Sequence, residues 1–221
     1  MGNCCCNQRS EAKEDIGVKV PDRHEKKIDE IIQIIINSVK NKKDKNIKKK
    51  YFDILCNYIK DEKYLKYRFY FLKKLNNNRS RNYEFSKNSF NFVKDIFSFY
   101  LEIIKKERDI KPIYLIIILS VTFYYFKDGK KIFLCDELKK KEIFQDLDVW
   151  KQIIKFYIEG DEKQVYKINE DNCFGRIYSI VHNMKIFQID KNKIYDLYNY
   201  FIKNYKISDE NKKFVEDYIE N

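Results

Sequence analysis

Ile113–Phe126 reads IYLIIILSVTFYYF. The stretch carries no charge, and Ser120 and Thr122 are its only strongly polar side chains. A helix that is apolar on every side belongs in a protein core or in a bilayer. These fourteen residues are too few for a bilayer span, which needs roughly 20. The flanks, Glu107–Arg108–Asp109 and Lys127–Asp128–Gly129–Lys130, read as water-facing ends. The stretch therefore predicts a buried central helix over about 113–126, with the other helices packed round it.

Composition points the same way. The chain has 221 residues, of which 44% are hydrophobic, enough for one well-buried domain. Five Gly and two Pro are very few. Sheet-rich folds need both at many tight turns, so their scarcity favours an all-α fold. The abundance of Lys, Asn, Ile, Tyr and Phe resembles translation of an AT-rich genome, as in some protists. That bias makes the net charge of +11 a weak signal, but its distribution is informative. Residues 1–81 hold 21 Lys/Arg against 11 Asp/Glu, a net +10, whereas residues 82–221 hold 24 against 23, a net +1. Such asymmetry points the basic part at an anionic partner, a membrane or a nucleic acid.

The chain begins MGNCCCNQRS. Gly2 after the initiator Met, followed by small uncharged residues, is close to the N-myristoylation pattern M-G-x-x-x-[ST]. It departs at Cys6, where Ser or Thr is usual, and Cys is near Ser in size. One myristoyl chain gives only marginal binding, with K of roughly 10⁴ M⁻¹, so stable anchoring takes a second signal. Cys4, Cys5 and Cys6 beside Gly2 are natural palmitoylation sites. A metal clip fits poorly, because adjacent cysteines chelate badly and no other Cys or His lies near in sequence. No apolar signal-peptide core precedes the cysteines, and six Cys without a framework spacing predict reduced thiols on the cytoplasmic side. The sequence thus predicts a short disordered acylated tail over 1–21 and a single helical domain over 22–221, with a basic first part, 22–82.

Apolar spacing places the helices. Asp22 caps a helix to about Val39, with Ile28, Ile31, Ile32, Ile35 and Ile36 on one face. Residues 40–50, KNKKDKNIKKK, hold seven lysines and one acid. Lys40, Lys42, Lys43, Lys45, Lys48, Lys49 and Lys50 are candidate membrane contacts, worth up to about 1 kcal/mol each at an anionic surface; the alternative is a solvated inter-helix segment. Two helices follow over 47–75, with a break near Asp61 and an inward face of Tyr64, Leu65, Arg68, Phe71, Leu72 and Leu75. The interleaved Lys63, Tyr64, Lys66, Tyr67, Arg68 and Tyr70 could stack bases, but no RNP, zinc-finger or KH-loop pattern accompanies them. A long helix runs from Ser86 to about Lys106. After Asp128–Gly129, a turn signal, residues 131–145 read as irregular with one small helix. Helices then carry Trp150 (ending at Gly160) and span 172–187. Asp190 and Ser208 cap the last two.

Two segments, VTFYYFKDGKKIFLCDELKKKEIFQDLDVWKQIIKFYIEG (121–160) and CFGRIYSIVHNMKIFQIDKNKIYDLYNYFIKNYKIS (173–208), carry a resemblance. Thr122–Tyr125, Trp150, Phe174–Gly175, His182–Asn183–Met184 and Phe187 fall in the order of landmarks of the SET-binding-factor domain. That domain occurs in large myotubularin-related pseudophosphatases and in short stand-alone proteins. The resemblance covers roughly residues 86–221 and departs at Glu142–Ile143–Phe144, where the family has Pro-Ile-Trp, and at Gln188, where it has Gly. It implies a helix end at TFYY, an aromatic hairpin, a short helix, a Trp-bearing helix and a non-catalytic module linked to membrane traffic and phosphoinositides. No DENN module or phosphatase loop is present, so those activities do not follow.

Catalytic chemistry finds little support. His24 lies in a charged first turn and reads as solvent-exposed. Cys173 and His182 on one helix stand about 13.5 Å apart along its axis, too far for a nucleophile–base pair. No paired zinc-ligand spacing and no phosphate-loop pattern occurs. Gly175 inside a helix suggests close helix approach. The expectation is a lipid-anchored, non-catalytic adaptor or scaffold on the cytoplasmic leaflet, without cofactor, metal or transmembrane helix, acting through an unidentified protein partner and not through nucleic acid. The alternatives are a helical enzyme or small-molecule-binding domain with an unrecognised pocket, and nucleic-acid binding through the basic first third.

Overall fold

The computed structural model describes residues 22–41, 49–78, 83–107, 109–159 and 170–221. Among them are ten α-helices. They are α1 Arg23–Asn41, α2 Lys49–Lys60, α3 Leu65–Asn77, α4 Lys87–Glu107, α5 Ile110–Ser120, α6 Leu134–Leu138, α7 Leu147–Glu159, α8 Glu170–Ile186, α9 Lys191–Asn204 and α10 Asp209–Glu220. Single 3₁₀ turns lie at Glu62–Tyr64 and Glu142–Phe144. The all-α expectation holds, with one small sheet added. Strands β1 Tyr83–Glu84, β2 Phe123–Lys127 and β3 Lys130–Phe133 pair in that order, β1 parallel to β2 and β2 antiparallel to β3.

α5 is the central helix. None of its residues is exposed, and it packs against α3, α4, α6, α7 and β2. Ile113, Ile116, Ile117 and Leu119 are buried. Each such side chain contributes about 1.5–3 kcal/mol of hydrophobic free energy. Asp109 opens the helix by accepting from the Lys111 amide at 3.2 Å. α7 carries the packing onward to α8 and α9, and α10 closes against both.

The expected helix over 113–126 is only half correct. α5 stops at Ser120, and Phe123–Lys127 is a strand. Hydroxyls take up the last carbonyls: Ser120 Oγ donates to Ile117 O at 2.8 Å and Thr122 Oγ1 to Leu119 O at 2.9 Å. Beyond them the run of aromatics suits a pleated half-buried surface better than a helix. The segment after Asp128–Gly129, expected to be irregular, begins as β3. Asp128 and Gly129 have φ of 50° and 75° and join Lys127 to its partner Lys130. Two positive φ values in a two-residue loop match the twist of a hairpin.

Caps and faces elsewhere follow the sequence. Asp22 Oδ1 accepts from the amides of His24 and Glu25, both at 2.9 Å. Ser86, Asp146, Asp190 and Ser208 accept from the amides of Ser89, Asp148, Asn192 and Asn211, which satisfies donors that a helix start leaves open. Phe90, Val93, Ile96, Phe97, Tyr100, Leu101 and Ile104 of α4 are all buried. Arg68, expected to face inward, is buried and donates to Lys60 O at the end of α2 at 3.3 Å. Arg176 Nη1 donates to Tyr157 O and Ile158 O at 2.6 and 2.8 Å, fastening α8 to the carbonyl end of α7. Trp150 is fully buried and donates its Nε1–H to Phe144 O at 2.7 Å.

Gly175 does not mediate helix approach. It is exposed, and an added Cβ would meet nothing within 4 Å. Gly160 lies outside the described residues.

Candidate functional site

Gly2, Cys4, Cys5 and Cys6 lie outside the described residues, as do Lys42, Lys43, Lys45, Lys48 and the side chain of Lys40. Lys49 and Lys50 are described and exposed, in the first turn of α2. That turn holds no acid. Cations there oppose the helix dipole by about 0.3–1 kcal/mol each. Lys50 Nζ sits 5.1 Å from the centre of its neighbour Tyr51.

The described chain begins at Asp22, and that corner is tightly knit. Asp22 Oδ2 accepts from Tyr67 Oη at 2.5 Å and from Lys66 Nζ at 2.9 Å, while Oδ1 caps α1. The Tyr67 hydroxyl first, then the Glu25 amide and Lys66, holds the Asp22 carboxyl far below its ordinary value. His24, expected to face solvent, is instead half-buried among tyrosines. Its Nδ1 is 3.0 Å from Tyr58 Oη, and its ring centre lies 5.4, 5.1 and 5.2 Å from those of Tyr58, Tyr64 and Tyr67. The sequence pattern showed a charged helix start. It did not show that the α2–α3 turn folds its tyrosines over that start.

This arrangement also decides the interleaved segment 63–70. Tyr67 is buried and bonded to Asp22, while Tyr70 Oη donates to Asp29 at 3.0 Å. Lys66 and Lys73 point to solvent. These tyrosines are engaged by the acids Asp22 and Asp29 of the α1 segment and are not an open stacking platform.

Around the first turns of α4 the chemistry differs. Phe52 of α2 meets Phe92 of α4 edge-on at 6.2 Å, and Phe90 of α4 packs against Tyr125 of β2 at 4.5 Å. α2 and β2 thus both pack on the first turns of α4, through Phe92 and Phe90, which stand two positions apart and face different sides of that helix. The hairpin tip is basic. Lys127, Lys130 and Lys131 are exposed, and Phe126 beside them is 47% exposed. Lys131 is the cross-strand partner of Phe126, and its Nζ lies 4.6 Å from the Tyr124 ring centre.

The described thiols are buried or half-buried. Burial pushes the thiols of Cys56 and Cys135 up to about 11 and about 12, which leaves them poor nucleophiles. Cys173 is buried as well. His182 is exposed, with Nδ1 at 2.6 Å from Tyr218 Oη. Among the described residues no group of three or more His, Cys, Asp or Glu is placed to hold a metal. A cleft of about 340 Å³ opens between α4, α5, the second 3₁₀ turn and α7, near the lower size limit for ligand pockets. Ile104, Ile110, Ile113 and Ile143 line it. At its rim Lys105 and Glu142 pair with each other at 2.5 Å. Its lining contains no histidine, thiol or hydroxyl.

Apolar spacing missed this tip because it put Phe126 in the buried helix, Lys127 and Lys130 at its water-facing end and Lys131 in an irregular segment, although the family resemblance implied an aromatic hairpin here. The signal was present: alternating aromatics run into Asp-Gly and out again through Ile132 and Phe133, a hairpin pattern. Among the described residues no helix is long and apolar enough to cross a membrane. No protein-family model matches the chain, and neither does any curated protein or solved structure.

Proposed function

We propose that this protein is a non-catalytic adaptor held on the cytoplasmic face of a membrane by acyl groups on Gly2 and on one or more of Cys4, Cys5 and Cys6. The observation that carries the proposal is the N-terminal MGNCCC, where a myristoylation pattern adjoins three cysteines. A myristoyl and a palmitoyl chain together supply the two signals that lasting attachment requires. The exposed Lys49 and Lys50, at a helix start whose dipole disfavours them, support a basic surface meeting anionic headgroups. The engaged tyrosines of segment 63–70 favour lipid over nucleic acid as the anionic partner.

The resemblance to the SET-binding-factor domain is part of the same proposal. The hairpin, short helix and Trp150 helix occur in the order it implies. Gln188 has a φ of 57° and ends α8, with Ile189 N–H donating to Met184 O at 3.0 Å. A left-handed residue at a helix end is where Gly is favoured, and Gly is what the family pattern has there.

Replacing Gly2 by Ala tests the anchor. Gly2→Ala should move the protein from the membrane fraction to the cytosol, because palmitoylation usually follows myristoylation. Retention of Gly2→Ala on membranes through carbonate and salt washes would show that the anchor is something else.

A further inference from the structure

We infer that the tip of the β2–β3 hairpin is a direct contact for an anionic lipid surface, separate from the acyl anchor and from the lysines of residues 40–50. The inference rests on the membrane reading above and extends it to residues that reading does not use. It starts from the exposed large apolar side chains, Phe69, Phe126 and Phe214. Their electrostatic settings differ. Phe214 is 53% exposed on α10, DENKKFVEDYIE, where five acids outweigh two lysines, so an anionic surface would repel it. Phe69 is 36% exposed, and its neighbour Lys66 is already paired with Asp22. Phe126 stands beside Lys127 and across from Lys131, while Lys130 pairs with Lys127, against the single acid Asp128. Lys127 and Lys130 make no ion pair among the described residues.

An exposed aromatic ring at a turn that carries three exposed lysines has a definite chemical complement. The ring sheds water by entering the boundary between headgroups and acyl chains, and flexible lysine stems keep their charges at headgroup level. The Asp128–Gly129 loop, with its two positive φ values, brings the three lysines round one narrow turn. Tyr125 holds the base of the hairpin on Phe90, so the tip is presented by a packed scaffold.

The location agrees with the rest of the chain. The described chain begins at Asp22, at the start of α1. α1 has 19 residues and so measures about 28 Å. The sixteen residues from Cys6 to Asp22 reach at most about 55 Å when extended. The chain is long enough for acyl groups and hairpin to meet one bilayer together.

The test uses the full-length chain without acyl groups, sedimented with phosphatidylcholine vesicles with and without phosphatidylserine at low ionic strength. Wild type should bind only the phosphatidylserine vesicles. The triple exchange Lys127→Gln, Lys130→Gln and Lys131→Gln should lower the partition constant by at least about tenfold, and Phe126→Ser by roughly fivefold. Phe126→Trp should show a blue-shifted emission with phosphatidylserine vesicles, against the constant background of buried Trp150. Thermal melts matching wild type would establish that the variants fold. Equal binding of wild type and the triple variant overturns the inference, as does an unshifted Phe126→Trp emission or an absence of vesicle binding by wild type. Loss of RNA binding in the triple variant with vesicle binding intact would reassign the tip to nucleic acid and overturn it too. All of these outcomes leave the acyl anchor to be judged separately by Gly2→Ala, so the two failures are distinguishable.

Discussion

α5 and β2 are neighbours in the chain and both largely apolar, yet they end in opposite environments. α5 is enclosed by four helices and a strand, and no residue of it is exposed. β2 begins inside with Phe123, buried, and runs outward to Phe126 and Lys127, both exposed. The difference shows what each does. α5 supplies contacts that several other elements depend on. The outer half of the hairpin supplies almost none, so its aromatic ring and its charges are free to meet something else.

The largest effect expected from this contrast is at the centre of α5. Ile117→Asp puts an uncompensated charge in an apolar interior and should cost several kcal/mol, about half or more of a typical domain's stability. Ile117→Leu should stay within about 1.5 kcal/mol of wild type. A cooperative urea transition near the wild-type midpoint for Ile117→Asp would show that α5 is not the centre of the core.

The next effects come from one substitution made at two glycines. Gly129 sits at φ 75° with nothing near its absent Cβ. Gly129→Ala should therefore cost about 1–2 kcal/mol from backbone strain alone, read as a lowered melting temperature. Gly175 sits in the interior of α8 with equally open surroundings and no positive φ. Gly175→Ala should stabilise by about 0.5–1 kcal/mol, because Ala loses less backbone freedom on entering a helix. Shifts of the same sign at both glycines would contradict the assignment of a left-handed turn to one and a plain helix to the other.

The smallest expected effect is at the hairpin tip. Phe126→Ser should change folding stability by no more than about 0.5 kcal/mol, as for a surface residue without structural duties. A larger drop in denaturant midpoint would mean that the tip is part of the core, and the contrast with α5 would collapse.

Hydrophobic period and caps determined most of the helical architecture from the sequence alone. The inward faces of α1 and α4, the starts at Asp22, Asp109, Asp190 and Ser208, and the break near Asp61 depend on local chemistry. A helix start needs an acceptor side chain, and an amphipathic face needs only its spacing. The acylation pattern is local too, since it belongs to short motifs. The tertiary structure decided what depends on partners distant in sequence. Apolar spacing could not place the helix–strand boundary after Ser120, because a short apolar run reads alike in either conformation; the Asp128–Gly129 turn signal hinted at a hairpin, and the pairing of Phe123–Lys127 with β1 and β3 makes it one. His24 looked solvent-facing until Tyr58, Tyr64 and Tyr67 closed over it from the α2–α3 turn. Gly175 looked like a packing device, and its open surroundings show otherwise. Phe126 is the clearest instance. Composition predicts that a phenylalanine is buried, and only the path of the whole chain determines which one has no interior left to enter.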